Sequence, residues 1–498
     1  MENASRTTLK AGPYPEPLLL IDGKWESGEA NPDGIPRVIN PATEEPLARP
    51  PAASARQVEA AAAAAARSFP GWSGSPGQER AAVLNRAADL LTETVEADAI
   101  VMTLEQGKTL AESRAEMMSI VALFRWYADQ AVRSTTRVEP GSVPGGDVII
   151  QHLPVGPVAI LTPWNFPASL AARKLAAAFA VGCTAVVKPP PETPSSFLSV
   201  THALVRAGVP DGVLNVVNGD PVRICRELIE SPYIHAVSFT GSTMVGREIG
   251  RLAAGALTRT TLELGGHAPV IVTADADVEA AAHVLATTKY RNAGQTCIAP
   301  TRFLVQQPVF NEFVDHFVNY ATGIRVAPGM VDGAQMGPLA VERRRQGVLD
   351  LIDRTVQAGA TVRCGGGALP GRGWFVSPTV LTGAPADSAA MNSEPFGPLA
   401  IINPYNTDDD AIAEANRLPV GLAAYVFTGS SQRADAIVSC IEAGTIGVNT
   451  GTIVHRDSPL SGVKDSGYGS DGGLEGMHEF QQVKAVSTVR AAGSTDAN

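Results

Sequence analysis

Asn292-Ala293-Gly294-Gln295-Thr296-Cys297 is the segment of this sequence best suited to covalent chemistry. A cysteine is most often a small buried hydrophobe. This one follows small and polar residues at the end of a helical run, which suits exposure in a cleft. A thiolate adds readily to a carbonyl carbon when its pKa is lowered or a base stands nearby. A second segment, Leu262-Glu263-Leu264-Gly265-Gly266, places a glutamate between two leucines where a strand meets two glycines. Partial burial there raises a carboxyl pKa and fits a general base working near neutral pH. The bland alternative for Glu263 is a strand-end carboxylate paired with a lysine.

Both segments need elements to hold them. Alanine-rich Val58–Ala66 predicts a helix by propensity. Val83, Leu84, Ala87, Leu90, Leu91 and Val95 repeat at three-and-four spacing, which predicts an amphipathic helix from Gln78 to Glu105, ended by Gly107. From 155 to 265 the chain alternates. Strand-like runs fall at Val158–Leu161, Ala185–Val187, Val213–Val217, Ala236–Phe239 and Thr260–Leu264. Helical stretches between them cover Ser169–Val181, Pro194–Ala207, Pro221–Glu230 and Thr243–Ala254, with Thr193 and Pro194 forming an N-cap and first-turn proline. Alternation of this kind predicts a parallel sheet covered on both faces, with ligands at the carboxyl ends of its strands. Residues 266–470 alternate again (Pro269–Val272, a helix from Val278, Arg302–Val305, a helix from Pro308), which predicts a second α/β domain. Val483–Val489 reads as a strand, and the first twenty or so residues as an arm.

The length of 498 residues accommodates two or three domains. A net charge of −11 argues against binding to nucleic acid or to an anionic membrane. No apolar run follows a basic N-terminal region, and Leu18–Ile21 is far too short to span a bilayer. Five widely spaced cysteines without a CxxC pair form neither a disulfide framework nor a zinc site. A reducing cytoplasm and no metal are the expectations.

Six motifs now converge: Pro163-Trp164-Asn165-Phe166-Pro167, Val187-Lys188-Pro189, Phe239-Thr240-Gly241-Ser242 with Gly246, Glu263-Leu264-Gly265-Gly266, Gly294-Gln295-Thr296-Cys297, and Glu394-Pro395-Phe396-Gly397-Pro398. Together, and in this order, they resemble the aldehyde dehydrogenase superfamily over essentially the whole chain. The resemblance implies a Rossmann-like coenzyme domain (1–132 and 153–265), an α/β catalytic domain (266–470), and a small β bridging and oligomerisation segment (133–152 and 471–498). It implies a homodimer or homotetramer. It implies that Cys297 is the nucleophile, that Asn165 and the Cys297 backbone N–H form an oxyanion hole, and that Glu263 activates the water that hydrolyses a thioester. Relatives that pass the acyl group to coenzyme A lack a base at that position.

For the coenzyme, NAD or NADP, the resemblance implies contacts from Thr162, Pro163, Trp164, Lys188, Gly241, Ser242, Gly246, Glu394 and Phe396. The turn at Gly241–Gly246 departs from the three-glycine Rossmann fingerprint, but it joins a strand to a helix, whose N–H groups suit a pyrophosphate. Strongly NAD-preferring relatives often carry a glutamate where this chain has Pro191, with Glu192 one place later. The expectation leans only slightly to NAD.

Within the superfamily the sequence looks closest to succinate-semialdehyde dehydrogenases, whose two arginines gripping the distal carboxylate match Arg173 and Arg291. An arginine fork suits a carboxylate. A serine usual in that subfamily is replaced by Val454, followed by His455. These two residues are either a surface loop or a tunnel mouth admitting a longer or aromatic ω-oxo acid. Ala299 stands where some relatives have a second, regulatory cysteine. Two further readings stay open: the same chemistry on neutral aldehydes, and a catalytically silent binding protein on this fold.

Overall fold

Val158 and Ile160 are buried in one apolar cluster, while Ala159 and Leu161 are buried in another. That is the two-faced burial of a strand covered on both sides. The computed structural model describes residues 14–31, 33–133 and 136–489, so most of the expected N-terminal arm lies outside the described residues. The strand is β1 (Val158–Leu161), followed by β2 (Ala185–Lys188), β3 (Leu214–Val216), β4 (Ala236–Thr240) and β5 (Arg259–Glu263). They run parallel in the order β3-β2-β1-β4-β5. The sheet is not parallel throughout. Leu19–Ile21 and Lys24–Glu26 extend it antiparallel beyond β3, and Gly467–Tyr468 does so beyond β5. The last of these comes from the stretch read as the second domain. Gly467 permits it, since its φ is +109° and any Cβ would lie 1.9 Å from the Leu262 carbonyl oxygen.

The helices that matter for the site are α1 (Gly77–Gln106), α2 (Leu110–Ala131), α3 (Ser169–Val181), α4 (Pro194–Arg206) and α5 (Thr243–Ala256). Thr109 opens α2 with a capping box to Glu112. The start of α4 differs from expectation. Thr193 makes no side-chain cap bond, although Pro194 occupies the first turn. Instead Glu105, at the end of α1, accepts the Ser195 and Ser196 N–H groups at 3.2 and 2.7 Å. A carboxylate serving two amides at a helix N-terminus displaces a single hydroxyl from that task.

A second sheet holds β6 (Pro269–Val272), β7 (Arg302–Gln306), β8 (Thr379–Thr382), β9 (Leu399–Tyr405), β10 (Ala423–Phe427) and β11 (Thr445–Val448). These are parallel in the order β8-β9-β7-β6-β10-β11, and Thr361–Cys364 pairs antiparallel with β8. Helix α6 (Val278–Tyr290) follows β6, and α7 (Glu342–Gln357) lies between β7 and β8. The helix expected from Pro308 begins at Phe310, after a 3-10 turn over Gln307–Val309. Leu264–Ala268 carry the chain from the carboxyl end of β5 to the amino end of β6. The residues between the two sheets are therefore those just after the first sheet's strands and just before β7 and β9. Separately, Arg137–Pro140, Gly146–Pro154 and Gln481–Val489 form a three-stranded antiparallel sheet. Both segments singled out as bridging contribute to it. Residues 134, 135 and 490–498 of those segments are outside the described residues. No helix among the described residues is long and apolar enough to cross a membrane.

Candidate active site

From β1 the chain winds outward to β2 and β3, then returns to β4 on the other side of β1. Such a reversal leaves a crevice at the carboxyl ends of β1 and β4. Thr162, Pro163, Trp164 and Asn165 follow β1, Gly241 and Ser242 follow β4, and Lys188 closes β2. The Ser242 hydroxyl accepts the Val245 N–H at 3.4 Å and caps α5. Gly246, one turn on, lies so close to β5 that a Cβ would sit 2.3 Å from Leu264, so glycine sets the depth of the helix N-terminus. Thr162 Oγ1 and Thr240 Oγ1 are buried with no hydrogen-bond partner among the described residues. Lys188 is buried, and its Nζ donates to the adjacent Pro189 carbonyl at 3.2 Å. Burial pushes its pKa down, while Cys225, Glu192 and Asp220 oppose the shift. Glu192 is held at 2.6 Å by Arg343.

Cys297 follows α6 and a short 3-10 turn, and it is half-buried. In the protein alone its thiol is pushed up to about 12 by burial, then by the Glu394 and Glu263 carboxylates, against the Cys297 and Ile298 N–H groups, which lower it. Glu263 ends β5 and is buried, with neither carboxylate oxygen bonded to any described residue. Burial raises its pKa well above the usual carboxyl range, and Lys174 opposes this. The expected lysine alternative therefore fails in a specific way. Lys174 is close enough to influence Glu263 but pairs with Asp471 at 3.1 Å, both side chains buried. Asn165 is buried, and its Nδ2 donates to the Gln295 carbonyl at 3.0 Å. One amide hydrogen ties it to the cysteine loop, and the other has no partner among the described residues.

Glu394 and Phe396 precede β9. Gly265 faces the Glu394 carboxylate so closely that a Cβ would lie 2.7 Å from Oε2, and one on Gly266 would lie 3.2 Å from the Cys297 carbonyl oxygen. The two glycines after Glu263 thus let Glu394 and Cys297 approach the strand end. Burial raises Glu394 to about 7, opposed by the Gly266 N–H, Arg344 and Lys289. Phe396 meets Trp164 edge-on at 5.5 Å, joining the crevice to the second sheet.

Arg173 is half-buried and donates to the His455 carbonyl at 3.5 Å. Arg291 is exposed and lies over the Phe166 ring at 5.5 Å. Val454 is half-buried against the second-sheet core, whereas the His455 side chain is exposed. What His455 offers its neighbours is a carbonyl to Arg173.

Sequence reading missed the polar residues beneath Asn165. Gln106, Lys108 and Glu116 are all buried and bond to Asn292, Asn165 and the start of α3. A signal existed. Ser113, Glu116, Met117 and Ile120 share the buried stripe of α2, so Glu116 is a charge on an apolar face. Lys289 and Arg344, which flank Glu394, were missed as well; Lys289 is fully buried and lowered to about 7.

The aldehyde dehydrogenase family model matches residues 27–486. A putative 4-(hydroxymethyl)benzenesulfonate dehydrogenase of Comamonas testosteroni is 44% identical over 96% of this chain and 99% of its own. The succinate-semialdehyde dehydrogenase [NADP(+)] of Escherichia coli K12 is 37% identical over 93% of this chain and 96% of its own. The crystal structure of succinate-semialdehyde dehydrogenase from Burkholderia pseudomallei superposes with a TM-score of 0.93 at 37% identity, covering 95% of this chain and 98% of that one. The chain belongs to the aldehyde dehydrogenase family.

Proposed function

We propose that this protein oxidises an aldehyde carrying a distal anionic group to the carboxylic acid, with NAD(P) as coenzyme and water as the acyl acceptor. The observation that carries the reading is Glu263, a buried carboxylate with both oxygens unbonded among the described residues and close enough to raise the Cys297 pKa. A carboxylate left without partners at such cost has a use for a proton. Cys297 adds to the aldehyde carbon through its ionised fraction, the thiol proton having passed to solvent water, and the C–S bond forms as the carbonyl π bond opens to the alkoxide. The second Asn165 amide hydrogen and the Cys297 N–H hold the developing alkoxide. Bound NAD(P) would supply the acceptor for the aldehyde-derived hydride. Glu263 then takes a proton from the water that attacks the thioester, and the thiol leaves with the acid.

The crevice residues fit a dinucleotide. Thr162, Thr240 and Glu394 present buried polar atoms without partners, and α5 offers a helix N-terminus for the pyrophosphate. Lys188 suits the adenosine ribose. No carboxylate stands at Pro191, and Glu192 is engaged by Arg343, so the lean to NAD leaves room for NADP. The reading takes 1–132 with 153–265 as the coenzyme-binding part and 266–470 as the catalytic part, in a cytoplasmic homo-oligomer.

Arg173 and Arg291 are the proposed anion contacts. A four- or five-carbon ω-oxo acid fits the semialdehyde relatives. An aromatic aldehyde bearing a sulfonate is a second reading. It is supported by apolar Val454 beside the arginine-bonded loop and by the 44% identical relative whose name specifies a benzenesulfonate. Steady-state kinetics with both coenzymes on succinate semialdehyde, 4-carboxybenzaldehyde, 4-sulfobenzaldehyde and benzaldehyde tests this. Arg291→Ala should raise KM for the anionic aldehydes at least about tenfold more than for benzaldehyde, the loss of a charge-assisted contact. Equal effects would sink the anionic reading. Glu263→Gln should give one turnover of NAD(P)H per Cys297, then stall about 10²–10⁴-fold below wild type as acyl-enzyme accumulates. Loss of the burst together with the steady state would place Glu263 before hydride transfer instead.

A further inference from the structure

The turn between α1 and α2 places a fully buried polar bracket under both halves of the proposed oxyanion hole. Lys108 Nζ donates to the Asn165 carbonyl at 2.9 Å and to Glu116 Oε2 at 2.5 Å. The other Glu116 oxygen accepts the Ala168 and Ser169 N–H groups at 3.2 and 3.0 Å, where α3 begins. Gln106 Nε2 donates to Asn292 Oδ1 at 2.9 Å, and its Oε1 accepts the Lys108 N–H at 2.9 Å. Asn292 Nδ2 donates to the same Asn165 carbonyl at 2.8 Å, and Glu112 accepts the Asn292 N–H at 2.6 Å. Asn165 thus has its carbonyl gripped by two donors and its side chain tied to Gln295.

Two features show what the bracket holds. Asn292 adopts φ 51° and Ala293 φ 52°, a left-handed pair just ahead of Cys297; asparagine tolerates this region, whereas an alanine there is held by its surroundings. Gln106 and Glu112 grip Asn292 directly. Lys108, 1% exposed, is an expensive residue to bury, and its ammonium goes to a backbone carbonyl of Asn165 as well as to its counter-ion. A hydrogen-bond donor stabilises a developing alkoxide only if it is already in place and cannot relax away.

We propose that Gln106 and Lys108 are positioning residues that fix the separation between Asn165 and the Cys297 loop, and so set the oxyanion-hole geometry. Neither touches substrate. The proposal rests on Asn165 and Cys297 forming that hole.

A double-mutant cycle tests it. Lys108→Met and Gln106→Met are each made in the wild-type and Asn165→Ala backgrounds, and kcat, KM and the coenzyme Kd by calorimetry are measured. Each single variant should lower kcat about 10–100-fold, somewhat less than deleting an oxyanion donor outright, with coenzyme Kd within about twofold of wild type. In the Asn165→Ala background neither should lower kcat further. Losses that multiply with that of Asn165→Ala, or an unchanged kcat in the single variants, overturn the proposal. If Lys108→Met fails to fold, the Gln106→Met cycle decides alone, because it leaves the Lys108–Glu116 pair in place. A wild-type enzyme that turns over no aldehyde, or an Asn165→Ala variant as active as wild type, would instead sink the reading of the hole itself and this proposal with it.

Discussion

In the coenzyme-free protein the Cys297 thiol keeps its proton at neutral pH, since burial and two carboxylates set its pKa at about 12. The proposed nucleophile is therefore not a standing thiolate, and its reactivity follows the small ionised fraction. Iodoacetamide alkylation of Cys297, followed by peptide mass mapping to separate it from the exposed Cys440, should rise about tenfold per pH unit from 7 to 9 without a plateau. A plateau below pH 8 would show a thiolate stabilised by something other than the groups seen around it. Glu263 is shifted upward as well. Its raised pKa means the base form is lost on acidification well above the ordinary carboxyl value, so the proposed hydrolysis should fail first on the acid side. Cys297 and Glu263 stand out in the sequence because the proposed chemistry asks for those residue types beside small, close-packing neighbours. The bracket beneath Asn165 does not. Lys108 and Asn165 are 57 positions apart, and no local pattern announces a lysine whose partner is a distant carbonyl.

At the scale of elements, spacing located the strands and helices well where burial is one-sided or two-sided in a regular way. Helices α3 and α6 begin at the predicted residues, and Gly182 ends α3 as expected. The failures have a common cause. Thr193 looked like a cap by local chemistry, yet Glu105 reaches across from α1 and wins that helix start. Glu105 is completely buried and its pKa rises to about 7 through desolvation. Its folded-state pKa lies above the unfolded value of 4.5, so the stability linked to its proton is complete below about pH 4.5 and is lost as pH rises through 7. Glu105→Gln keeps an acceptor for one of the two α4 amides, which bond to different carboxylate oxygens, and removes the titration. Urea denaturation should show the variant losing less stability than wild type between pH 5 and 8, by on the order of 3 kcal/mol at most. Parallel pH profiles would mean Glu105 does not carry that proton.

For the whole molecule, two sheets with parallel centres, joined through Leu264–Ala268, put their opposite strand ends on either side of one cleft, which is why residues from 162 to 396 converge there. The three-stranded sheet stands apart from both. Its outer strand Gln481–Val489 runs nine residues along an edge, with Val483 and Val489 66% and 62% exposed and Val138 on the opposite outer strand 60% exposed. Lys484 is the one charged residue in that strand. A long edge with so little charge is a template for further pairing unless something covers it, and a second copy of the chain is the expected cover. Light scattering after gel filtration at micromolar concentration should give two or four times the 51.8 kDa chain mass. Val483→Lys, a charge on that exposed strand, should shift the distribution toward the single chain, while circular dichroism stays unchanged because the side chain is largely exposed within its own chain. A wild-type protein running as one chain would mean that this sheet has another partner and that the cleft is complete within a single subunit.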